Sequence, residues 1–222
     1  THGFVNDFGK IDNEIRKIIS VISNLHFVSH IKYKKNLKKI LKNKKYIYNV
    51  GSLAAEKVKK IKFFHSKNIL EKKFKIKFSK KNIVISLHPE TNNLNNHKKN
   101  INIFFKTLKK YKKISFFFTS PGHDIGSNYI QKKINSFLKE NSNSYFVKSF
   151  SSEYYFSILK HSNGLIGNSS SGIIECPSLK VPVINLGKRQ SGRILSKNIL
   201  NSDYEEDSLD RKIAAGLDHI IG

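Results

Sequence analysis

The sequence lacks methionine and tryptophan and contains a single cysteine, Cys176. One cysteine excludes a framework of internal disulfide bonds and is typical of a reducing compartment. No apolar run approaches the roughly 20 residues that span a bilayer, and the first residues lack the basic-then-apolar pattern of a signal peptide. We therefore expect a cytoplasmic protein without membrane contact. Because the residues after Thr1 already read as the middle of a fold, we also expect a fragment of a longer protein.

Acidic residues are scarce, 16 against 41 basic ones, so the formal net charge of the 222-residue chain is +25. Such a charge can indicate nucleic-acid binding, because Lys and Arg neutralise phosphates. Arginine, however, is the residue that makes bidentate contacts to bases and phosphates, and nearly all the basic residues here are lysines on solvated faces. We therefore expect no nucleic-acid partner, although the charge should steer anionic ligands to the surface. The only arginines are Arg16, Arg189, Arg193 and Arg211.

Apolar runs that predict strands alternate with helical patterns along the whole chain, which is typical of parallel sheets covered by helices. The fold prediction is α/β, with residues 1–75 in one domain and residues 76–222 in a second, nucleotide-binding domain. Residues 62–81 are basic and weakly patterned, so we predict an irregular connection there. In such sheets ligands bind beyond the carboxyl ends of the strands. The predicted strands are 25–29, 46–50, 83–87, 115–119, 145–147, 164–167 and 181–186.

The strongest site pattern is the run GNSSSGIIE at 167–175, where a predicted strand ends and a helix begins. Backbone N–H groups at a helix start favour anions, and the three hydroxyls add donors. Glu175, about one turn into the predicted helix, could accept hydrogen bonds from ribose hydroxyls. An ordinary serine-rich helix cap explains the serines alone, but the accompanying Gly and Glu favour a diphosphate-ribose site. The candidate residues are Ser169, Ser170, Ser171, Gly172 and Glu175.

Two further strand-end loops carry candidates. Arg189 and Arg193 follow the strand VPVINL in a glycine-containing loop, which suits phosphate or carboxylate recognition but equally a solvated basic loop. His88 opens the segment His-Pro-Glu after another strand, where it could transfer a proton or donate to a leaving oxygen, or be structural. His123 lies on a similar loop, whereas His26 falls inside a buried-looking strand and is predicted to be a core residue.

Asp12 and Arg16 lie one helical turn apart. The pair is either a surface ion pair, worth a few tenths of a kcal/mol, or a catalytic carboxylate held by a guanidinium, and the spacing does not decide between them. No zinc-ligand spacing, nucleophile elbow or phosphate-binding P-loop occurs in the sequence. We therefore expect neither a metal nor a cofactor.

Together these segments resemble the UDP-N-acetylglucosamine 2-epimerase family. The match is closest to its hydrolysing branch, which makes N-acetylmannosamine for sialic acid-type sugars. The resemblance implies two Rossmann-like domains of GT-B type facing each other across a cleft, the first incomplete here, in a protein that forms homo-oligomers. The segments that carry it are IDNEIR, LHFVS, YNVGSLA, GNSSSGIIECPS and VPVINLGKRQSGR, in that order.

The resemblance also implies roles for the candidates. The serines at 169–171 would hold the diphosphate of a UDP-sugar and Glu175 would hold the ribose. Arg193, or else Arg189, would contact the nucleotide-sugar. His88 would lie at the active-site strand end, and Asp12 would be a catalytic acid or base partnered by Arg16. In the family mechanism the C2 proton is removed and UDP leaves by anti elimination. Water then adds to the resulting 2-acetamidoglucal to give N-acetylmannosamine.

The sequence also departs from the family pattern. His2-Gly3 continues into Phe4-Val5 where the family has a Gly followed by a carboxylate, unless Asp7 replaces it, and Lys17, Val21 and Asn24 replace other family residues. The first-domain catalytic aspartate would precede Thr1, so we expect the fragment alone to be inactive. The alternatives left open are a GT-B glycosyltransferase, a non-hydrolysing epimerase, and an enzyme for a related N-acetylated UDP- or GDP-sugar.

Overall fold

A computed structural model of the chain describes residues 11–42, 46–61, 64–90, 94–148 and 151–218. Helices and strands alternate along most of these residues, as predicted, and every strand pairing is parallel. No helix in these ranges is long and apolar enough to cross a membrane. The chain first forms α1 (Ile11–Ile22), β1 (His26–Val28), α2 (Ile31–Ile40) and β2 (Ile47–Asn49), in which β1 and β2 make a two-stranded sheet.

The remaining elements build a six-stranded parallel sheet with helices on both faces. Their bounds are α3 (Leu53–Lys59), α4 (Lys67–Phe74), β3 (Lys81–Ser86), α5 (Leu94–Leu108), β4 (Ile114–Thr119), α6 (Ser127–Glu140), β5 (Tyr145–Val147), α7 (Ser152–His161), β6 (Gly164–Gly167), α8 (Ser170–Ile174), α9 (Cys176–Leu179), β7 (Val183–Leu186), β8 (Ile199–Ser202) and α10 (Glu206–Asp218).

The strand order in this sheet is β5-β4-β3-β6-β7-β8, so successive strands are added outward in one direction from β3 and then in the other from β6. This is the order of a doubly wound nucleotide-binding sheet, in which the crevice between the two central strands receives the ligand. Ser86 at the end of β3 is in register with Gly167 at the end of β6. The loops that follow these two strands therefore leave the sheet side by side.

The core is divided between the two faces of the sheet, because successive side chains of a strand point to opposite sides. In β4, Phe116 and Phe118 pack with α5, α6 and α10 on one face, whereas Phe117 packs with the helices on the other. All three rings are almost completely buried. Burial on both faces explains why the strands read as continuous apolar runs and not as alternating patterns.

The two helices directly before β3, α3 and α4, pack on this larger sheet. Val58 of α3 and Leu70 of α4 are buried in the same cluster as Val84, Phe117 and Leu165. The proposed division of the chain between residues 75 and 76 stays a prediction. The prediction of an irregular connection over 62–81 was wrong, because α4 occupies part of it. Exposed lysines separate the few apolar residues of α4, so its apolar face gives only a weak pattern in the sequence.

Two other details differ from the sequence prediction. Strand β8 was not predicted, because Ile199–Ser202 is a short, half-exposed edge strand with a weak apolar signal. The predicted long helix after the serine cluster is two short helices, α8 and α9, with Glu175 at their junction. Pro177 has no N–H to donate to the preceding turn, and its ring is tolerated only near a helix start.

Gly167 at the end of β6 has a φ of +153°, and a Cβ there would overlap the backbone carbonyl of Ser86. We expect Gly167→Ala to lower the free energy of unfolding by at least about 2 kcal/mol, because both the strained backbone and the overlap oppose folding. Urea denaturation of the chain measures this change.

Gly216→Ala in α10 is the control, because its Cβ would meet only Ile184 at 3.6 Å, an ordinary contact. This variant should gain up to about 1 kcal/mol from helix propensity. Equal stabilities for the two variants would show that the close approach of β3 and β6 is not required.

Candidate functional site

An open cleft of about 330 Å³ lies at the carboxyl ends of β3, β4, β5 and β6, at the switch point of the sheet. Its volume falls at the lower end of the roughly 300–1,000 Å³ typical of small-molecule sites. The lining combines hydroxyls, one lysine and one carboxylate with a few apolar side chains. The lining residues are Ser86, His88, Thr119, Ser120, Val147, Lys148, Ser152, Tyr155, Phe156, Ser169, Ser171 and Glu175.

The fully buried amide of Asn168 fixes the loop after β6 against the loop after β3. Its Oδ1 accepts from the backbone N–H of His88 and its Nδ2 donates to the carbonyl of His88, both at 2.8 Å. The backbone N–H of Asn168 donates to Ser86 O at 3.1 Å. The side chain thus satisfies both backbone groups of His88, which holds this histidine beside the serine cluster.

The loop after β7 is fastened to the same place. Arg189 Nη1 and Gln190 Nε2 donate to the carbonyl of Asn168 at 3.1 and 2.7 Å. Glu90 Oε1 accepts from the backbone N–H groups of Lys188 and Arg189, and a Cβ at Gly187 (φ +65°) would overlap that oxygen. Three strand-end loops are therefore held by one set of hydrogen bonds, most of them partly buried.

The serine cluster begins α8. Ser169 is the N-cap residue, and its Oγ accepts from the backbone N–H of Ser171 at 3.3 Å. Ser169 and Ser171 line the cleft, with Ser170 between them at the first position of the helix. Gly172 lies against β7, where a Cβ would approach Val183 Cγ1 to 2.9 Å. The role of this glycine in the fold is close packing of the helix on the sheet.

Glu175 is a half-buried carboxylate at the cleft wall. Burial raises its pKa above the usual range, while a backbone hydrogen bond and the positive charges of Lys57 and Arg193 oppose that rise. The carboxylate is therefore partly desolvated, so it is suited to accept hydrogen bonds from a ligand. The prediction that Glu175 lies inside a continuous helix was wrong, but its position beside the serines is the predicted one.

His88 lies two residues beyond the end of β3 and lines the cleft. Its Nδ1 is 3.0 Å from the carbonyl oxygen of Pro121. Because a carbonyl only accepts, Nδ1 carries the proton, and the second ring nitrogen is the one that gains or loses a proton. The contact also fixes the ring orientation.

The structure brings some of the predicted residues together. The cleft is lined by four of them, His88, Ser169, Ser171 and Glu175. Arg193 lies close enough to Glu175 for its positive charge to oppose the rise of the Glu175 pKa. The guanidinium of Arg189 is instead directed to the Asn168 carbonyl and does not line the cleft. The binding and catalytic roles proposed for all these residues stay predictions.

The other predicted residues lie elsewhere. Arg16 is exposed on α1 and does not line the cleft, while the side chain of Asp12 lies outside the described part of the chain. His2 and Asp7 also fall outside the described residues. His26 is 1% exposed, which confirms its place in the core. His123 is exposed and is not part of the cleft lining.

Several lining residues were not predicted. Three of these residues lie at or just after the ends of neighbouring strands: Ser86 ends β3, Thr119 ends β4 and Lys148 follows β5. Their place in the cleft follows from the strand order, which the sequence pattern does not give. Tyr155 and Phe156 come from α7, whose helical pattern gives no sign that one side of the helix meets a ligand cleft.

A second cavity of about 320 Å³ opens near the amino ends of the strands and is lined mainly by apolar side chains. It lacks the concentration of donors that distinguishes the first cleft, so we assign the candidate site to the carboxyl ends. Within the described ranges, no group of three or more His, Cys, Asp or Glu residues is arranged to hold a metal ion.

Comparison with known proteins agrees with this geometry. Residues 4–220 match the UDP-N-acetylglucosamine 2-epimerase family. The chain belongs to this family. It is 38% identical over 199 residues to a Campylobacter jejuni protein named GDP/UDP-N,N'-diacetylbacillosamine 2-epimerase (hydrolyzing), covering 89% of this chain and 52% of that protein. It is 35% identical to the Escherichia coli polysialic acid biosynthesis protein P7, covering 96% of this chain and 54% of that protein.

Solved structures of the epimerase family share the fold. The chain resembles the Methanocaldococcus jannaschii UDP-GlcNAc 2-epimerase, crystallised with UDP-GlcNAc and UDP, with a TM-score of 0.68 at 18% identity. The match covers 98% of this chain and 61% of that one. The predicted α/β fold of GT-B type is thereby confirmed. The chain spans about half the length of the curated relatives it matches.

Asn168→Ala should remove both side-chain hydrogen bonds to His88 and leave that residue's partly buried backbone groups without these partners. We expect the free energy of unfolding to fall by roughly 2–4 kcal/mol, since each orphaned group costs about 1–3 kcal/mol. Urea denaturation measures the change.

Asn135→Ala on the exposed face of α6 is the matched control, because its amide bonds only to Gln131. It should change stability by less than about 0.5 kcal/mol. A similarly small effect at Asn168 would mean that the loops hold their places without its amide.

Proposed function

We propose that the complete protein is a hydrolysing 2-epimerase that releases UDP from UDP-N-acetylglucosamine and yields N-acetylmannosamine for sialic acid-type sugars. The observation that carries the proposal is the cleft at the switch point of the sheet, which is lined by Ser169 and Ser171 of the serine cluster, by Glu175 and by His88. Donors suited to a diphosphate stand next to an acceptor suited to ribose hydroxyls.

The hydrolysing outcome is supported by the relatives. The Campylobacter jejuni protein is named as a hydrolysing epimerase, and the Escherichia coli protein is named as a polysialic acid biosynthesis protein. Both relatives are more similar to this chain in sequence, at 38% and 35% identity, than the archaeal enzyme is, at 18%. Because the name of the Campylobacter jejuni protein contains a diacetylated nucleotide-sugar, such a sugar is the nearest alternative substrate.

In the proposed reaction the cleft holds the leaving group. As the bond from C1 to the diphosphate breaks, negative charge grows on the phosphate oxygens. Ser169 and Ser171 would donate to these oxygens, a role in which preorganised donors are most effective. Lys148 and the overall charge of +25 add positive potential.

The residue roles extend to the acid-base steps. With Nδ1 protonated toward Pro121, His88 would take a second proton and donate it, or a hydrogen bond, to the departing diphosphate. Asp12 would exchange the proton at C2, partnered by Arg16. Ser170 would contribute its backbone N–H beside the phosphates, and Gly172 would keep the start of α8 packed closely on β7. Arg193 would balance the charge between Glu175 and the diphosphate.

Glu175→Gln should weaken UDP binding by roughly 10- to 100-fold, the loss expected when a charged acceptor is removed. It should leave pyrophosphate binding unchanged, because that ligand has no ribose. UDP affinity of the wild type should also fall with falling pH, starting at a higher pH than for an ordinary carboxyl, since protonation removes the acceptor and the Glu175 pKa is raised. The variant should lose this pH dependence.

Titration calorimetry with UDP and pyrophosphate measures these affinities, and Glu153→Gln, at the start of α7 outside the cleft lining, is the control. Equal losses for the two ligands would assign Glu175 a structural role. No binding of UDP together with tight, salt-dependent binding of an oligonucleotide would contradict the proposed function itself.

The complete protein, incubated with UDP-N-acetylglucosamine in heavy water, should release UDP and N-acetylmannosamine that carries deuterium at C2. The deuterium is expected because the proposed mechanism removes and replaces that proton. Asp12→Asn should lower turnover by roughly 100- to 10,000-fold, the contribution of a general acid or base. Mass spectrometry and product NMR measure both effects.

Each alternative gives a different product. A sugar that remains attached to UDP would indicate a non-hydrolysing epimerase, and release that requires an acceptor would indicate a glycosyltransferase. A product without deuterium at C2 would exclude the elimination mechanism. Unchanged turnover in Asp12→Asn would return Asp12 to a surface ion pair with Arg16.

A further inference from the structure

Four hydroxyl side chains form a line across the floor of the cleft, each from a different element. Thr119 Oγ1 at the end of β4 is 3.1 Å from Ser86 Oγ at the end of β3. Tyr155 on α7 lies close enough to Ser86 for the Ser86 hydroxyl to influence its pKa, and the Tyr155 hydroxyl is 2.9 Å from Ser171 Oγ on α8. The line begins at Thr119 and ends at Ser171, the serine that faces the proposed diphosphate.

The contacts allow the hydroxyls to donate in one direction along the line. The Thr119 hydroxyl donates to Ser86 and also lies 3.3 Å from the carbonyl of Ile85. Ser86 can then donate to Tyr155, and Tyr155 to Ser171. Burial raises the pKa of Tyr155, so it remains a phenol and keeps its proton to donate. With its own oxygen accepting from Tyr155, Ser171 has its proton available for an acceptor in the cleft.

We propose that Tyr155 is a positioning residue that orients the Ser171 hydroxyl as a donor to the diphosphate of the nucleotide ligand. This inference rests on the proposed function, because it assumes that an anionic ligand occupies the cleft. A phosphate oxygen only accepts, so a serine whose proton pointed back toward Tyr155 would be useless to it. Hydrogen bonds that donate in sequence also strengthen one another.

The neighbouring Tyr154 on the same helix has different surroundings from Tyr155. Tyr154 packs its ring on His65 at 4.4 Å and against Phe74, away from the cleft. Tyr155 instead buries a polar hydroxyl where phenylalanine would fill the same space, and such burial is costly unless the group is hydrogen-bonded. The two residues thus provide a matched pair on one helix.

The test compares UDP with uridine, which carries the same base and ribose but no phosphate. Tyr155→Phe should weaken binding of UDP to the 222-residue chain by roughly 3- to 10-fold, the loss of one oriented hydrogen bond, and leave uridine binding unchanged. Tyr154→Phe should change neither. Titration calorimetry measures the affinities, and thermal melting confirms that the variants are folded.

A double-mutant cycle shows whether Tyr155 acts through Ser171. Ser171→Ala should weaken UDP binding at least as much as Tyr155→Phe, and the double variant should be no weaker than Ser171→Ala alone. If Tyr155→Phe does not fold, Ser86→Ala tests the same line from its other side, with a smaller loss for UDP and none for uridine.

The outcomes separate this inference from the proposed function. A wild-type chain that does not bind UDP contradicts the proposed function. Wild-type binding of UDP that Tyr155→Phe leaves unchanged overturns only the role of Tyr155. Equal losses for UDP and uridine, or additive losses in the cycle, overturn it as well, because Tyr155 would then support the cleft as a whole and not the Ser171 hydroxyl.

Discussion

The candidate site depends on the buried side chain of Asn168. This amide satisfies both backbone groups of His88, while the carbonyl of the same residue accepts from Arg189 and Gln190. Loops after β3, β6 and β7 therefore meet at one residue. Loops that carry binding groups are ordinarily mobile, and here a few hydrogen bonds that are strong in the buried interior keep them fixed.

The strand order makes this arrangement possible. Because β3 and β6 are central neighbours, their carboxyl ends lie level, and only a glycine at 167 lets them approach so closely. The same geometry brings Ser86 and the serine cluster together in the lining of the cleft. A diphosphate would thus meet donors that are already oriented, and the ribose would meet Glu175, whose burial leaves its carboxylate in need of partners.

The sequence predicted the parts of this account that depend on local pattern. Apolar runs such as that of β4 identified the strands, and the serine cluster with Glu175 identified one wall of the cleft. Tyr155 and Lys148 could not be predicted, because their place in the cleft depends on which strands and helices become neighbours. Arg189 looked like a ligand-binding residue, yet its contact with the Asn168 carbonyl appears only in three dimensions. Helix α4 was missed because its lysines conceal a short apolar face.

A crystal structure of the complete protein with UDP tests the central claim most directly. The account predicts that the diphosphate lies within hydrogen-bonding distance of Ser169 and Ser171, and that the Glu175 carboxylate accepts from the ribose hydroxyls. It also predicts that Asn168 keeps its contacts with His88. UDP bound away from the serine cluster, for example in the apolar cavity beside Leu165 and Val183, would contradict it.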